Sequence, residues 1–350
     1  LRVPFVLRVE LILFCEEQMK AAFIRKTGGP ECIEVGEIPS PLLDPESVLV
    51  RVHAVSVNPI DTYIRNGANY WPLPDPYVIG CDFAGEIVET GKDCKDWKIG
   101  QRVWGSNQGL MGRQGTFSQL AAIDPQWLYR SPDSVSDADL AAVALVGITA
   151  HLGLFDRARL QSGETIFVRG GTGGVGAMVL QMAKAVGARV VTTAGSAEKA
   201  QRCRELGADR VILYNEESTE DVLASEFSTG VDVFWETLRE PNFDFAVRSM
   251  APNGRMVVMA GRDARPEFPV GPFYVKGCSL FGFAMFKASA KAQRQAAEDI
   301  NHWLQTGRLR AQIDRIMDLE QAAEAHRLQE SNTIGKSSVL QGKLVLRIRH

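Results

Sequence analysis

A doubly wound parallel α/β sheet set against a second, mostly β lobe is the fold this sequence predicts, and three observations predict it. From about Ser136 onward, short apolar runs alternate with amphipathic segments, the pattern of a parallel sheet covered on both faces. The first of those runs enters a glycine cluster, GGTGGVG at 170–176, and leaves with helical periodicity. Before Ser136 the chain reads instead as short strands cut by Gly, Pro, Asn and Asp. With 350 residues there is chain enough for two cores.

Composition narrows the class without naming a partner. A 45% hydrophobic and 23% charged chain with a formal net charge of -3 has no electrostatic bias toward nucleic acid or an anionic membrane. Six scattered cysteines form no C-x-x-C pair, so they read as free thiols in a reducing compartment, with neither a disulfide framework nor a metal knuckle. The segment 1–18 is apolar but interrupted by Arg8 and Glu10. It is too short to span a bilayer and lacks a cleavage site. A cytoplasmic protein with an N-terminal extension is expected, and the extension either adds a strand or is a start-site feature.

From Met19 the strand-like runs are MKAAFIRK, ECIEVGEI, SVLVRVHAVSV and DFAGEIVETG. In the third, Val48, Val50, Val52 and Ala54 alternate with Leu49, Arg51, His53 and Val55, which leaves His53 on the wetter face of a strand. Ser136 with Asp139 forms a helix-opening pair ahead of DADLAAVALVGITAHLGLF. Six apolar runs follow: TIFVRG, ARVVTTAG, DRVILY, VDVFWET, GRMVVMAG and CSLFGFAMF. The stretch ASAKAQRQAAEDINHWLQTGRL then reads as a helix, and the tail returns to the first lobe. The doublet GKSSVL and GKLVL leaves the register of the last strand open.

Gly171, Gly173 and Gly176 make G-x-G-x-x-G between a strand and a helix, the context in which this pattern marks a Rossmann dinucleotide site. The loop must turn tightly, let a diphosphate approach the backbone, and let the helix pack on its strand. Gly171, Gly173, Gly174, Val175 and Gly176 are therefore the expected cofactor contacts, with the free N–H groups of the helix start facing the diphosphate. Val175, Val179, Met182 and Val186 recur at helical spacing, and Gly187 closes the helix. A unit for NAD carries an acid at the end of its second strand for the ribose 2′-hydroxyl. Here that strand ends in Gly195 and Ser196 followed by Lys199. Gly195 makes room, Ser196 donates and Lys199 brings charge, so NADPH is expected over NADH. A solvated helix face is the alternative for Lys199.

The blocks VSVNPIDTYIRNG, DFAGEIVETG, GQRVWG, GGTGGVG and GSAEKAQRCRELGAD together resemble the zinc-free quinone oxidoreductases, the zeta-crystallin-like branch of the medium-chain dehydrogenase/reductase superfamily. The resemblance runs from Met19 to the C-terminus. It implies a Rossmann doubly wound parallel sheet inserted in a GroES-like, mostly β catalytic domain, with boundaries at 19–142 for the GroES-like part, 143–286 for the Rossmann part and 287–350 for the C-terminal return. Zinc-dependent members carry Cys at Asn58 and His-Glu at Cys81-Asp82. A single Cys81 cannot supply a zinc ligand set, so no metal is expected, and Cys81 reads as a small buried hydrophobe.

Without a metal, hydride transfer relies on hydrogen bonds to the acceptor oxygen, which suits a quinone or a small conjugated carbonyl. In VNPIDTYIRNGANYWPLP the family resemblance puts Asn58 beside the nicotinamide, a catalytic candidate whose amide can donate to the substrate oxygen, although Asn-Pro also opens turns. Asp61 and Arg65, four apart, read as an intrahelical ion pair. Tyr63 and Tyr70 are the general-acid candidates, and Tyr70 resembles the tyrosine that enoyl reductases place over substrate; either can also pack as an ordinary aromatic. Thr149, Tyr214, Gly261 and Phe283 resemble family cofactor contacts, with helix-interior or core packing as the alternative for Thr149 and Phe283. His151 reads as a packed helix residue, and ETLRE after the fourth strand departs from the usual glycine-containing turn. The apolar sixth strand would expose an edge in a monomer, so a homodimer through that strand is expected. Two further functions compete: 2-alkenal or enoyl reduction, and a non-catalytic NADPH-binding protein with a structural or RNA-binding role.

Overall fold

The computed structural model describes residues 17–68, 71–333, 335 and 340–350. The segment 1–16, Tyr70 and most of GKSSVL lie outside them. The first lobe is β. Strands β1 (Gln18–Ile24), β2 (Glu34–Pro39) and β3 (Val48–Ser56) lead to helix α1 (Pro59–Arg65), followed by β4 (Tyr77–Val78), β5 (Phe83–Thr90), β6 (Arg102–Gly105), β7 (Leu120–Ile123) and β8 (Leu128–Arg130). Strands β2, β1 and β4 form a small sheet. In β3, Val48, Val50, Val52 and Ala54 are buried while Arg51 is exposed, as the alternation predicts. The pattern breaks at Val55 and Ser56, both buried, where the strand enters the body of the protein.

Helix α2 (Asp137–His151) opens where expected, with Ser136 Oγ accepting from Asp139 N at 3.1 Å. Continued to Arg157, it is the one described helix long and apolar enough to cross a bilayer, yet 78% of its 18-residue apolar window is buried. It is a core helix wedged between the lobes, touching β3, β5, β6 and a C-terminal strand on one side and the nucleotide-type lobe on the other.

All six predicted apolar runs are strands: β9 (Thr165–Val168), β10 (Arg189–Ala194), β11 (Arg210–Leu213), β12 (Val231–Glu236), β13 (Met250–Val258) and β14 (Ser279–Gly282). They pair in parallel in the order β11-β10-β9-β12-β13-β14, the 3-2-1-4-5-6 order of a dinucleotide-binding sheet. Crossovers run through α3 (Gly174–Ala185), α4 (Ala197–Glu205), α5 (Thr219–Glu226), α6 (Phe243–Ser249) and α7 (Val270–Val275). The chain then returns through α8 (Ala290–Gln305), β15 (Ile313–Asp318), α9 (Ala322–Thr333) and β16 (Lys343–Arg347). Strand β16 pairs with β3, with Val345 opposite Ser56. The register left open by the doublet is thus set by GKLVL, which supplies the strand.

Candidate functional site

The sheet order reverses between β9 and β12, so the crevice at the carboxyl ends of those strands is where a ligand of this fold sits. The glycine cluster lines it, and each glycine has a distinct reason to lack a side chain. A Cβ on Gly176 would collide with the carbonyl of Gly170, and one on Gly171 would lie 2.5 Å from Thr192 Oγ1. Those two glycines let the helix press against its strand. Gly173 is exposed and a Cβ there would meet only Gly170 O, at 3.4 Å; it is the open face of the cradle, directly before the free N–H groups of α3. A Cβ on Gly174 would lie 3.3 Å from Val146 Cγ1 and 3.6 Å from Lys343 Cδ, so the loop rests on both α2 and the last strand. Val175 is half-buried beside it, and Gly187, at φ +86°, ends the helix as predicted.

Beyond β10, a Cβ on Gly195 would collide with the phenol of Tyr214. The room that Gly195 makes is filled by that ring, which is itself 56% exposed. Ser196 caps α4 by accepting from Lys199 N at 3.2 Å. Lys199 and Arg202 line a small pocket with Thr172, Glu198, Leu340 and Gln341. The strand end itself carries no acid, as read from the sequence; the nearest carboxylate, Glu198, lies in the first turn of α4, one position before Lys199. Its carboxylate is held by the C-terminal tail, accepting from Gln341 Nε2 at 2.9 Å. Arg202 leans the same way, donating to Gln312 Oε1 at 3.0 Å.

At the other end of the crevice lies a buried polar pocket. Asn58 starts α1 and is fully buried. Its Nδ2 donates to Asp82 Oδ2 (2.7 Å) and Ser56 O (3.3 Å), and its Oδ1 accepts from Lys343 Nζ at 2.5 Å. Lys343 also donates to Val57 O at 2.7 Å. Asp82 accepts further from Ser56 Oγ (2.8 Å) and Ser106 Oγ (2.6 Å). Burial raises the Asp82 carboxyl, opposed by the Lys343 ammonium and those three donors; burial lowers Lys343, opposed by Asp82 and Asp61. Burial pushes Asp61 up to about 7, with Asp82 adding to the rise and the Cys81 thiol and the Asn58 N–H opposing it. The Cys81 thiol is raised well above its usual value by burial and by Asp61, which keeps it protonated.

This pocket overturns one sequence expectation. Asp61 and Arg65 do not pair: Asp61 Oδ2 accepts from Asn58 N at 2.8 Å, as a helix-start carboxylate does. Arg65 instead reaches Gly28 O at 3.1 Å and Glu330 on α9. The spacing was right for a pair, but the C-terminal return offers Arg65 a better partner.

Of the remaining candidates, Tyr63 is half-buried and its Oη accepts from Arg239 Nη2 at 3.3 Å; Tyr70 lies outside the described residues. Thr149 is buried in α2, three residues after the Val146 that touches the glycine loop. Gly261 takes φ +84°, where a Cβ would lie 2.5 Å from Arg239 O. Phe283 packs under Gly153, with the Arg157 guanidinium 5.9 Å over its ring. His151 is a packed residue bonded to Asp299 (2.7 Å), and His53 is half-buried against Asp137 (2.8 Å). The ETLRE turn, which lacks the family's usual glycine, is held by side chains: Arg169 pairs with buried Glu236 at 3.2 Å, and Thr237 Oγ1 donates to Arg169 O at 2.6 Å. Sequence reasoning missed Lys343, Asp82 and Arg239. A lysine entering the apolar run KLVL was the one available signal.

Comparison with known proteins agrees with this architecture. Residues 44–133 match the model of the alcohol dehydrogenase GroES-like domain, and residues 174–301 match that of the zinc-binding dehydrogenase family. The chain is 30% identical over 313 residues to a quinone oxidoreductase of Sus scrofa, covering 89% of this chain and 94% of that protein. It is 33% identical over 261 residues to a chloroplastic NADPH-dependent alkenal/one oxidoreductase of Arabidopsis thaliana, covering 72% of this chain and 65% of that one. A crystal structure of an alcohol dehydrogenase superfamily protein from Novosphingobium aromaticivorans superposes with a TM-score of 0.84 at 29% identity, covering 95% of this chain and 100% of that one.

Proposed function

This chain belongs to the quinone oxidoreductase family of the medium-chain dehydrogenase/reductase superfamily, and we propose that it is an NADPH-dependent, zinc-independent reductase of a quinone or small conjugated carbonyl. The observation that carries the cofactor choice is the pocket after β10, where Lys199 and Arg202 outnumber Glu198 and that one carboxylate is occupied by Gln341. A 2′-phosphate there meets two cations, whereas the one carboxylate that could accept from a bare ribose hydroxyl, Glu198, already accepts from Gln341 at one of its oxygens. When bound, NADPH supplies a hydride from C4 of its nicotinamide. The residues Gly171, Gly173 and Gly176 fit the diphosphate because the loop is open only at Gly173.

Toward the acceptor, Tyr63 and Tyr70 are the phenols proposed to protonate the reduced oxygen or carbon. Asn58 is a positioning residue in this scheme: both its amide N–H groups and its carbonyl are engaged, so it fixes the floor of the cleft. Lys343 supplies a buried cation where zinc-dependent relatives hold a metal, and its ammonium 2.5 Å from Asn58 Oδ1 opposes a second cation among these groups. The half-exposed edge strand β14 and the exposed Val270, Tyr274 and Val275 of α7 support a homodimer through that edge.

A second function, 2-alkenal or enoyl reduction, is favoured by the likeness to the Arabidopsis alkenal/one oxidoreductase. Steady-state assays with a naphthoquinone, a 2-alkenal and an enoyl thioester separate the two. Michaelis constants for NADPH and NADH test the cofactor, and a preference for NADH overturns it. Cofactor binding with no oxidation across that acceptor panel would mean a non-catalytic binding protein.

A further inference from the structure

The turns after β12 and β13 each send an arginine across the crevice to the α1 segment. Arg239 Nη2 reaches Tyr63 Oη at 3.3 Å, and Arg262 Nη2 donates to Ala68 O at 3.0 Å. The two turns are pressed together, since only a glycine at 261 clears the carbonyl of Arg239. Both therefore stand at the carboxyl end of the half-sheet beyond the switch point, the side opposite Lys199 and Arg202.

The Arg239 charge is not consumed by its surroundings. Its bond to Tyr63 is its one side-chain hydrogen bond among the described residues, and a phenol is a neutral acceptor. Glu236, three residues earlier, is occupied by Arg169 and by the N–H of Leu238 at 2.8 Å. A half-buried guanidinium with a single long bond has most of its five donors left for a ligand. Its planar fork matches an oxyanion in bidentate geometry.

From this arrangement we infer that the cleft selects an acceptor carrying an oxyanion, a carboxylate or its equivalent, on the end remote from the reducible carbonyl. Arg239 binds that anion, and Arg262 adds to the local potential that draws it in. The inference rests on the proposed reductase activity for its kinetic test but not for its binding test.

The kinetic probe is a matched pair, 1,4-naphthoquinone-6-sulfonate, whose anion sits on the ring away from both carbonyls, against 1,4-naphthoquinone, with the full-length protein and NADPH. The sulfonate has the higher kcat/KM in the wild type, and its advantage shrinks as salt is raised. Arg239→Gln lowers the sulfonate-to-neutral ratio about tenfold, a loss of about 1.4 kcal/mol in relative transition-state binding, whereas Arg239→Lys restores part of it. Tyr63→Phe, which removes the hydrogen-bond acceptor and keeps the cation, retains the ratio. A ratio that moves less than about twofold in Arg239→Gln, or that falls equally in Tyr63→Phe, overturns the inference. The binding probe is 1-naphthalenesulfonate, which cannot be reduced, titrated by calorimetry. Binding that weakens about tenfold in Arg239→Gln upholds the anion site even if no quinone is turned over, and binding indifferent to Arg239 overturns it even if quinones are reduced.

Discussion

The two ends of the crevice are made from opposite materials. At the phosphate end the work is done by absence: Gly171, Gly173 and Gly176 clear space for a strand, a ligand and a helix in turn. At the Asn58 end it is done by presence, since Asn58, Asp82, Lys343 and Ser106 leave few donors or acceptors idle in a region sealed from water. A backbone cradle tolerates almost any chemistry around it but no added volume. A buried polar network tolerates modest changes of volume but no lost partner. Lys343 joins the two, with its ammonium on Asn58 and its stem against the glycine loop.

That contrast breaks most visibly at Lys343. Lys343→Met keeps the stem and deletes the charge, leaving Asp82 buried without its cation and Asn58 Oδ1 without its donor. A loss of about 3 kcal/mol is expected, from two buried oxygens left without their donor and a buried carboxyl left without a nearby cation, read as a shift in the urea unfolding midpoint. A loss under about 1 kcal/mol would mean that Asp82 is already protonated and the network is neutral. Gly176→Ala is the matching cut at the other end. One methyl driven against the Gly170 carbonyl should cost about 1–3 kcal/mol through a shifted α3, and it should weaken NADPH binding more than it weakens folding. If binding survives unchanged, the helix start is not what holds the diphosphate.

The same contrast explains what could be read from the residues alone. The glycine loop was legible because its chemistry is local: strand, turn and helix follow one another within about a dozen residues, and each glycine answers to a neighbour in sequence or the next strand. The caps at Ser136 and Ser196 were legible for the same reason. The Asn58 pocket was not, because its cation comes from 285 residues away on β16, and no periodicity links those positions. Arg65 was misread in the same way: its ion-pair partner, Glu330, is brought by the C-terminal return. Local spacing names the pairs a helix allows, whereas packing chooses among them.

A subtler difference between the ends is their response to pH. Burial holds Asp61 up at about 7, well above the value of about 3.9 that it has when unfolded. Between those values the folded protein binds more protons than the unfolded chain, so stability is full at low pH and falls as pH rises through 7. The slope attributable to Asp61 is at most about 1.4 kcal/mol per pH unit, one proton's worth. Asp61→Asn, which keeps an oxygen for the Asn58 N–H, should flatten that slope between about pH 4 and 7. An unchanged profile would assign the proton to another member of the pocket. Gly176→Ala adds and removes no titratable group, so it should lower the whole profile without changing its shape.

The smallest expected effect is at Ser196, where cap and ligand contact coincide. Ser196→Ala removes the acceptor for Lys199 N and should cost about 1 kcal/mol of stability, the usual value of a helix cap. If the hydroxyl only caps, the variant keeps its ratio of Michaelis constants for NADPH and NADH. If it also donates to the 2′-phosphate, NADPH weakens several-fold while NADH does not change. Because Lys199 still supplies the charge, that shift should stay below the one produced by Lys199→Gln. A larger effect from the serine than from the lysine would mean that a hydrogen bond, not a cation, recognises the phosphate, and would make this end of the crevice resemble the other.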